Sequence, residues 1–423
     1  MMVDLDALRP NIERLSHGID ELAAFHDSSF AGWTREVFSE PYRASRDWVR
    51  ARMAAAGLNP TVDPAGNIVG RLAGRHGGGP ALVTGSHTDT VRQGGRYDGI
   101  VGVLSGIEAA IRFQESGITL AHDLIVVDFL GEEANEFGIS CMGSRSITGT
   151  LAAKHLDRTD NTGTRLGDAM AGFGLDPDAA LRQAWSSSDV HAYLELHVEQ
   201  GPQLERAGTE IGVVTAIAGI DRVLLRFAGS SGHAGTTPMS DRHDALVSAA
   251  EAVLAVERVG CGAPVHGVAT PGSIESSPGS MGVITNEARL WAELRSVDRS
   301  WLHGARQQLV DQVVAATAAR GVELDVEWLT DQDPVPAATA VQDVIAETAG
   351  GTGYTWQAVP SGAGHDAAHL ARLGPMGMIF VPSVAGKSHC PEEFTDTADI
   401  ARGAHMLAST LFTLDQRDGL RSA

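Results

Sequence analysis

A short motif rich in glycine, histidine and aspartate follows the first strongly apolar stretch and limits how the chain can fold. The apolar run at residues 81–84 leads directly into His87 and Asp89, and Asp98 follows in a second glycine-rich turn. From Ile100 onward, apolar residues recur at helical spacing. Polar side chains between the end of a strand and the start of a helix are typical of ligand sites in open α/β sheets. The motif therefore predicts an α/β fold with a functional site at the end of this strand.

Other predicted strands end in similar side chains. One buried strand leads into Glu132 and Glu133, another carries His197 near its end, and a third precedes His389. A parallel sheet would bring these ends to one edge, where imidazoles and carboxylates suit zinc or manganese and one carboxylate can bridge two ions. Each histidine alone is as readily a buried core residue. Together they match a two-metal hydrolase, which also needs a carboxylate free to carry protons.

Composition limits the partners and the number of domains. The chain has 423 residues, enough for two domains, each with its own core. Its 32 Lys and Arg against 53 Asp and Glu give a formal net charge of −21, which disfavours nucleic acid and anionic membranes as partners and would not attract a small-molecule substrate that carries a carboxylate. Particular arginines must then hold any substrate carboxylate. We expect a cytoplasmic protein without a signal peptide or membrane span, whose three cysteines are reduced.

The pattern of predicted elements indicates a discontinuous catalytic domain with an insertion. We predict a mixed-sheet α/β catalytic domain at residues 1–212 and 331–423, and a smaller α+β lid or dimerisation domain at 213–330. Residues 150–190 read as irregular and polar, and residues 331–336 read as the linker back to the catalytic domain.

Several short motifs support one family. In chain order they are Gly85–Thr90, Gly94–Gly99, Gly131–Glu133, Gly143–Arg145, His197–Pro202, Gly232–Met239, Gly362–Ala367, Phe380–Ser383 and Ser388–His389. Over nearly its whole length the chain resembles the di-metal aminoacylase and carboxypeptidase-type amidohydrolases, an exopeptidase-like fold. Within them it is most similar to the hydantoinase/carbamoylase branch. That branch holds N-carbamoyl-L-amino acid hydrolases, allantoate amidohydrolases and β-ureidopropionases.

The resemblance implies a ligand set for two divalent ions per subunit. His87 and His197 would hold one ion, Glu133 and His389 would hold the other, and Asp98 would bridge them. Zinc and manganese are the favoured ions, and cobalt or nickel would fit the same ligands.

The resemblance also implies roles around the metals. Glu132 would take the proton from the attacking water and deliver it to the departing nitrogen, and Asp89 would orient His87. The inserted domain would form a homodimer, in which His233 reaches the partner's active site and stabilises the oxyanion. Arg295 would clamp the substrate carboxylate. The substrate-binding candidates are Gln200, Arg222, His233 and Arg295.

The chain departs from the family pattern at two positions. Gly282 stands where the family usually has asparagine, and Gly232 stands where an asparagine commonly precedes the family's histidine. An N-acyl-amino acid or dipeptide hydrolase therefore remains an alternative to a carbamoyl hydrolase, and a non-catalytic metal-binding relative is a third reading. We also predict that Asp366, at the start of a helix after glycine-rich chain, caps that helix.

Overall fold

The computed structural model describes residues 5–417 and 419–420, which separate into two compact units. The first unit extends to Thr215 and includes Ala337–Val359 and the chain from His365 onward. The second unit comprises Ala216–Pro336 and Pro360–Gly364. The predicted limits of the inserted domain, 213 and 330, stay a prediction. The predicted fold class, a mixed-sheet α/β domain with a smaller α+β insertion, is confirmed.

The helices and strands are numbered in chain order. The helices are α1 (Ile12–Ala23), α2 (Glu40–Ala55), α3 (Ile100–Glu115), α4 (Met142–Ile147), α5 (Ala153–Leu156), α6 (Leu166–Gly172), α7 (Pro177–Arg182), α8 (Gln203–Ala207), α9 (Ala245–Cys261), α10 (Arg299–Ala318), α11 (Thr339–Thr352), α12 (Asp366–Leu370) and α13 (Thr397–Asp415). The strands are β1 (Thr61–Val62), β2 (Ile68–Leu72), β3 (Ala81–His87), β4 (Leu124–Phe129), β5 (Val190–Val198), β6 (Ile211–Ile217), β7 (Gly219–Ala228), β8 (Val268–Ser277), β9 (Glu287–Ser296), β10 (Glu323–Gln332), β11 (Val335–Pro336), β12 (Trp356–Ser361) and β13 (Met376–Val381).

The large sheet places four strand ends side by side. Its order is β1-β2-β4-β3-β5-β13-β6-β11, with β12 also paired to β6. Strands β4, β3, β5 and β13 are mutually parallel, whereas β2 and β6 run antiparallel to their neighbours in this group. The carboxyl ends of the four parallel strands therefore meet at one edge of the sheet.

The parallel strands form where they do because most of their residues are apolar and favour burial on both faces of a sheet. All residues of β3, β4 and β13 are buried, as expected of strands covered on both faces. Helices α3 and α13 pack against this sheet and against each other, and Ile107 and Leu407 are among the side chains that they contribute to the core. Full burial of a side chain of this size stabilises the fold by roughly 1.5–3 kcal/mol.

Local signals fix several helix ends. The Ser39 side chain accepts a hydrogen bond from the Tyr42 amide, and Pro41 lies in the first turn, where its missing N–H costs nothing. The prediction that residues 150–190 are irregular is wrong, because α5, α6 and α7 lie there. Each is at most seven residues long, too short to show a clear helical period.

The second unit is an antiparallel sheet covered by two helices. The strand order is β10-β7-β9-β8, and α9 and α10 pack against each other and against the sheet. Leu225, Leu290, Val256 and Leu309 belong to the shared core. Within the predicted linker, 331–336, β10 continues to Gln332 in register with β7, and β11 follows. The first unit resumes at Ala337, and the linker stays a prediction. Among the described residues, no helix is long and apolar enough to cross a membrane.

Candidate metal centre

The candidate site lies at the carboxyl ends of the four parallel strands. His87 is the last residue of β3, His197 is the penultimate residue of β5, and Glu132 and Glu133 follow β4. His389 lies in the loop after β13. The four side chains from β3, β4 and β5 are buried, whereas the His389 side chain is about half exposed, at 49%.

Asp98 occupies the centre of this group. Its Oδ1 lies 3.1 Å from His197 Nε2 and 3.7 Å from His87 Nε2, and its Oδ2 lies 3.2 Å from His389 Nε2. Glu133 Oε1 lies 3.5 Å from the same His389 nitrogen. One carboxylate thus faces two histidines with one oxygen and a third histidine with the other.

Backbone contacts set the tautomers of two histidines. His87 Nδ1 lies 3.1 Å from the Asp89 carbonyl oxygen, and His197 Nδ1 lies 2.9 Å from the Val198 carbonyl oxygen. A ring nitrogen next to a carbonyl must carry the hydrogen, so the neutral ring presents a bare Nε2 on its other side. His197 Nε2 is buried and makes no hydrogen bond to any described residue. A metal ion would satisfy this nitrogen, which is the arrangement expected of a histidine ligand.

The side chains form two ligand groups with a common member. His87, Asp98 and His197 can place their ligand atoms within 4.8 Å of one another, and so can Asp98, Glu133 and His389. These groups fit two cations that share the Asp98 carboxylate. Two further groups meet the same limit, one of His87 with Glu132 and Glu133, and one of Glu195, His197 and His365.

The pKa values of the clustered side chains show which charged groups a cation would stabilise. Burial, together with Glu133 and Asp366, raises the pKa of Glu132 well above its ordinary value. Burial also raises the pKa of Glu133 to about 8, although His389 opposes this shift. Burial disfavours the charged form of His197, but Asp98 outweighs it and raises that pKa to about 9. Burial thus disfavours the charged form of both glutamates, and a divalent cation would stabilise that charged form.

Glycine is required where the Asp98 loop passes the first histidine. Gly99 has φ +69°, and a Cβ there would lie 2.5 Å from the His87 ring. Any other residue would therefore be strained and would displace the imidazole.

Asp89 has a second set of contacts that the sequence does not predict. Its Oδ1 accepts a hydrogen bond from the Glu132 amide at 3.2 Å, and its Oδ2 accepts one from the Glu133 amide at 3.1 Å. The Asp89 carboxylate lies 3.6 Å from His87 Nδ1, farther than the carbonyl of the same residue. One aspartate thus touches both the histidine and the backbone of the glutamate pair.

Gln200 reaches the centre from the turn after β5. Its Nε2 donates to Asp98 Oδ2 at 2.7 Å and to Ser388 Oγ at 3.2 Å, while Oε1 is buried without a partner among the described residues. The residue has φ +59°, a strained value for a side chain of this type. Gln200 is therefore held by the site, with an amide oxygen left unpaired.

The arginines proposed for the substrate lie in the second unit and share one partner. Arg222 on β7 and Arg295 on β9 both contact Glu293, at 3.4 and 2.9 Å respectively. Arg295 also donates to the Gly362 carbonyl oxygen at 3.3 Å. The pair forms a partly buried cationic group with one carboxylate between them.

His233 lies in an exposed loop of the second unit. Its Nδ1 accepts a hydrogen bond from the Gly235 amide at 3.0 Å, and its backbone forms an isolated bridge with Val283. Gly282, next to Val283, has φ +84°, and a Cβ there would have no atom within 4 Å. The loop that carries His233 is thus tied to the segment in which the family asparagine is replaced.

The prediction that Asp366 caps a helix is wrong. His365 holds the N-cap position of α12 without a side-chain capping hydrogen bond, and Asp366 is the first helical residue. Asp366 is fully buried and accepts a hydrogen bond from the Ser144 hydroxyl. No sequence pattern predicts this long-range contact, because Ser144 lies 222 positions earlier.

The sequence motifs assign no role to three other side chains near the centre. Cys141 is buried, with Sγ 3.4 Å from Glu132 Oε1. The ring of His365 lies edge-on to that of His197, with centroids 4.6 Å apart. Glu393 is buried against the backbone at Asp98. Cys141 and Glu393 lie close in sequence to the motifs at Gly143 and His389, and His365 lies inside the motif Gly362–Ala367, which assigns no role to this residue.

A mixed sheet that gathers histidines and carboxylates at the ends of parallel strands defines a class of metal-dependent hydrolases. Residues 83–413 match the model of Peptidase family M20/M25/M40, and the chain belongs to this family, in its hydantoinase/carbamoylase branch. The predicted resemblance is thus confirmed.

Individual relatives cover almost the whole chain. It is 37% identical over 405 residues to an N-carbamoyl-L-amino-acid amidohydrolase of Paenarthrobacter aurescens, covering 96% of this chain and 98% of the relative. It is 36% identical to a ureidoglycolate hydrolase of Oryza sativa subsp. japonica, covering 95% and 84%. A solved amidase of the hydantoinase/carbamoylase family from Burkholderia vietnamiensis superposes with a TM-score of 0.89 at 33% identity, covering 98% of this chain and all of the other.

Proposed function

We propose that this protein uses two divalent cations, zinc or manganese, to hydrolyse a carbamoyl C–N bond in a small carboxylated substrate. The products are ammonia, carbon dioxide and the free amine. An N-carbamoyl-L-amino acid or an allantoate-like compound fits this description. The observation that carries the proposal is Asp98, whose two oxygens face His197 at 3.1 Å and His389 at 3.2 Å.

The proposed ligands follow the two groups around Asp98. His87 and His197 hold one ion, Glu133 and His389 hold the other, and Asp98 serves both. Bound cations in such a site supply Lewis-acid activation of water and of the scissile carbonyl.

Glu132 moves the proton in this proposal. It is buried beside the ligands but is not needed in either group that contains Asp98, so its carboxylate is free for acid and base chemistry. It accepts a proton from the attacking water as the new C–O bond forms, and it returns that proton to the nitrogen as the C–N bond breaks. The two hydrogen bonds from the Glu132 and Glu133 amides to Asp89 hold the pair in register.

We assign substrate binding to side chains whose charge or hydrogen-bonding groups can contact a substrate. Arg295, with Arg222 beside it, holds the substrate carboxylate, which a chain of net charge −21 would otherwise repel. Gln200 offers its unpaired amide oxygen to a substrate N–H. His233, supplied by the partner subunit, stabilises the oxyanion.

We further propose that the protein works as a cytoplasmic homodimer assembled through the second unit. Strand β8 lies at the edge of its sheet, and Val268 on β8 and Leu254 on α9 are about half exposed. An unpaired strand edge with apolar neighbours favours pairing with another chain. The three cysteines are free thiols, consistent with a reducing compartment.

Product analysis tests the proposed reaction. The metal-reconstituted protein is incubated with N-carbamoyl-L-amino acids, β-ureidopropionate and allantoate, and ammonia is measured with and without chelator. N-acetyl amino acids and dipeptides are scored in parallel by free amine. We expect ammonia from a ureido substrate and its loss when chelator is added.

The alternative is an N-acyl-amino acid or dipeptide hydrolase on the same scaffold, which Gly282 keeps open because it lacks the amide of the family asparagine. Amine release without ammonia would replace our proposal with this one. Absence of both products from a protein that holds two metals would contradict both.

A further inference from the structure

Glu393 joins two segments that carry proposed metal ligands. Its Oε1 accepts hydrogen bonds from the Tyr97 amide at 2.9 Å and the Asp98 amide at 3.0 Å, and its Oε2 accepts one from Ser388 Oγ at 2.7 Å. The carboxylate is buried, with the whole residue 3% exposed. It thus binds the backbone of the central aspartate from the segment that carries His389.

The opposite segment is shaped to receive this carboxylate. A Cβ at Gly95 would lie 2.0 Å from the carboxyl carbon of Glu393, so only glycine leaves room for it. The ring of Phe394 packs edge-on against Tyr97, with centroids 5.6 Å apart. The two segments therefore fit closely together. They are distant in sequence, since 295 positions separate Asp98 from Glu393.

Ser388 extends the contact to the Asp98 side chain. Its hydroxyl lies 3.2 Å from Asp98 Oδ2 as well as 2.7 Å from Glu393 Oε2. Glu393 therefore holds Asp98 through the Asp98 amide. The Ser388 hydroxyl also links Glu393 to Asp98 Oδ2, the oxygen that faces His389.

We infer that Glu393 is a positioning residue that sets the shared carboxylate for both cations at once. The inference rests on the proposed two-metal function. Its consequence is specific: loss of a ligand to one ion removes one ion, whereas loss of Glu393 weakens both. Partners that orient metal ligands typically contribute about 10–100-fold to metal affinity.

The experiment compares Glu393→Ala with His389→Ala by calorimetric titration of the metal-free proteins with zinc and by elemental analysis after dialysis. We expect Glu393→Ala to lower the affinity of both sites by about 10–100-fold, and His389→Ala to abolish one site and spare the other. Glu393→Gln keeps an oxygen that can accept from both amides, so it should restore most of the affinity. Glu392→Ala, at the exposed neighbouring position, is the matched control.

A double-mutant cycle separates this role from general damage to the fold. Gly95→Ala should act by displacing the Glu393 carboxylate, so Gly95→Ala with Glu393→Ala should bind metal no more weakly than Glu393→Ala alone. Circular dichroism of each metal-free variant checks that it is folded. The inference would be overturned if Glu393→Ala kept wild-type metal affinity at both sites or lost affinity at only one. It would also be overturned if Glu393→Gln bound metal as weakly as Glu393→Ala. A wild-type protein that binds fewer than two ions would instead overturn the proposed function.

Discussion

Glu132 and Glu133 are adjacent in sequence, yet they face different neighbours. Glu132 Oε2 lies 3.6 Å from His87 and its Oε1 lies 3.4 Å from Cys141 Sγ, whereas Glu133 Oε1 lies 3.5 Å from His389. The divergence arises because consecutive side chains of extended chain point in different directions. One carboxylate can therefore bind metal while the next handles protons.

Glu132→Gln tests this division at the level of one residue. The amide keeps the size of the side chain but cannot accept the proton, so we expect kcat to fall about 10²–10⁴-fold. Metal content, measured by elemental analysis, should stay at two ions per chain. The exposed Glu136→Gln serves as the control. Normal kcat in Glu132→Gln would show that Glu132 does not transfer the proton. Loss of an ion from the variant would show that Glu132 is a metal ligand.

Helix α12 carries a buried histidine that lies outside the proposed chemistry. His369 is 7% exposed, and its Nε2 has no hydrogen-bond partner among the described residues. Burial, with Arg145 and Arg372, lowers the pKa of His369 to about 3. The packing of α12 in the folded protein therefore requires the His369 imidazole to be neutral.

This gives a pH dependence of stability. An unfolded histidine has a pKa of about 6.5, so between that pH and about 3 the unfolded chain binds a proton that the folded chain does not. Stability from this residue is complete above pH 6.5 and decreases as the pH falls, by up to about 1.4 kcal/mol per pH unit.

Thermal unfolding of His369→Leu at pH 7.5, 6 and 5 measures the effect. We expect Tm of the variant to fall less across this range than Tm of the wild type. The same substitution at the exposed His76 should leave the wild-type slope unchanged. Equal slopes for His369→Leu and wild type would show that the pKa of His369 is the same in the folded and the unfolded chain, which would contradict this prediction.

At the scale of the whole molecule, the site residues that could be predicted from the sequence are those at the ends of strands. His87 and His197 end apolar strands, and a parallel sheet has one edge for such ends, so the sequence pattern predicts where they meet. Glu393 could not be predicted, because its contacts with the Asp98 segment are to backbone amides, which no sequence pattern reveals. The same limit applies to Asp366, whose partner Ser144 is set by tertiary packing.

The proposed dimer predicts complementation between two inactive variants. Glu132→Gln removes the base of its own site, and His233→Ala removes the residue that we assign to the partner's site. In a mixed dimer, the site on the His233→Ala chain keeps its base and receives His233 from the other subunit. Co-expressed, differently tagged chains should therefore recover roughly a quarter of wild-type activity if they assort at random into symmetric dimers.

The controls are each variant expressed alone with both tags. Full activity of His233→Ala by itself, or inactive mixed dimers, would contradict the exchange of His233 between subunits. A protein whose mass in solution is that of one 44.4 kDa chain would contradict the dimer.

The central claim is that Asp98 holds two cations at once, and anomalous diffraction from zinc-loaded crystals tests it most directly. Our account predicts two peaks on either side of the Asp98 carboxylate, about 3.5–4 Å apart. One peak should lie beside His87 and His197, and the other beside Glu133 and His389. A single peak away from Asp98, at the alternative group that contains His365, would contradict the account.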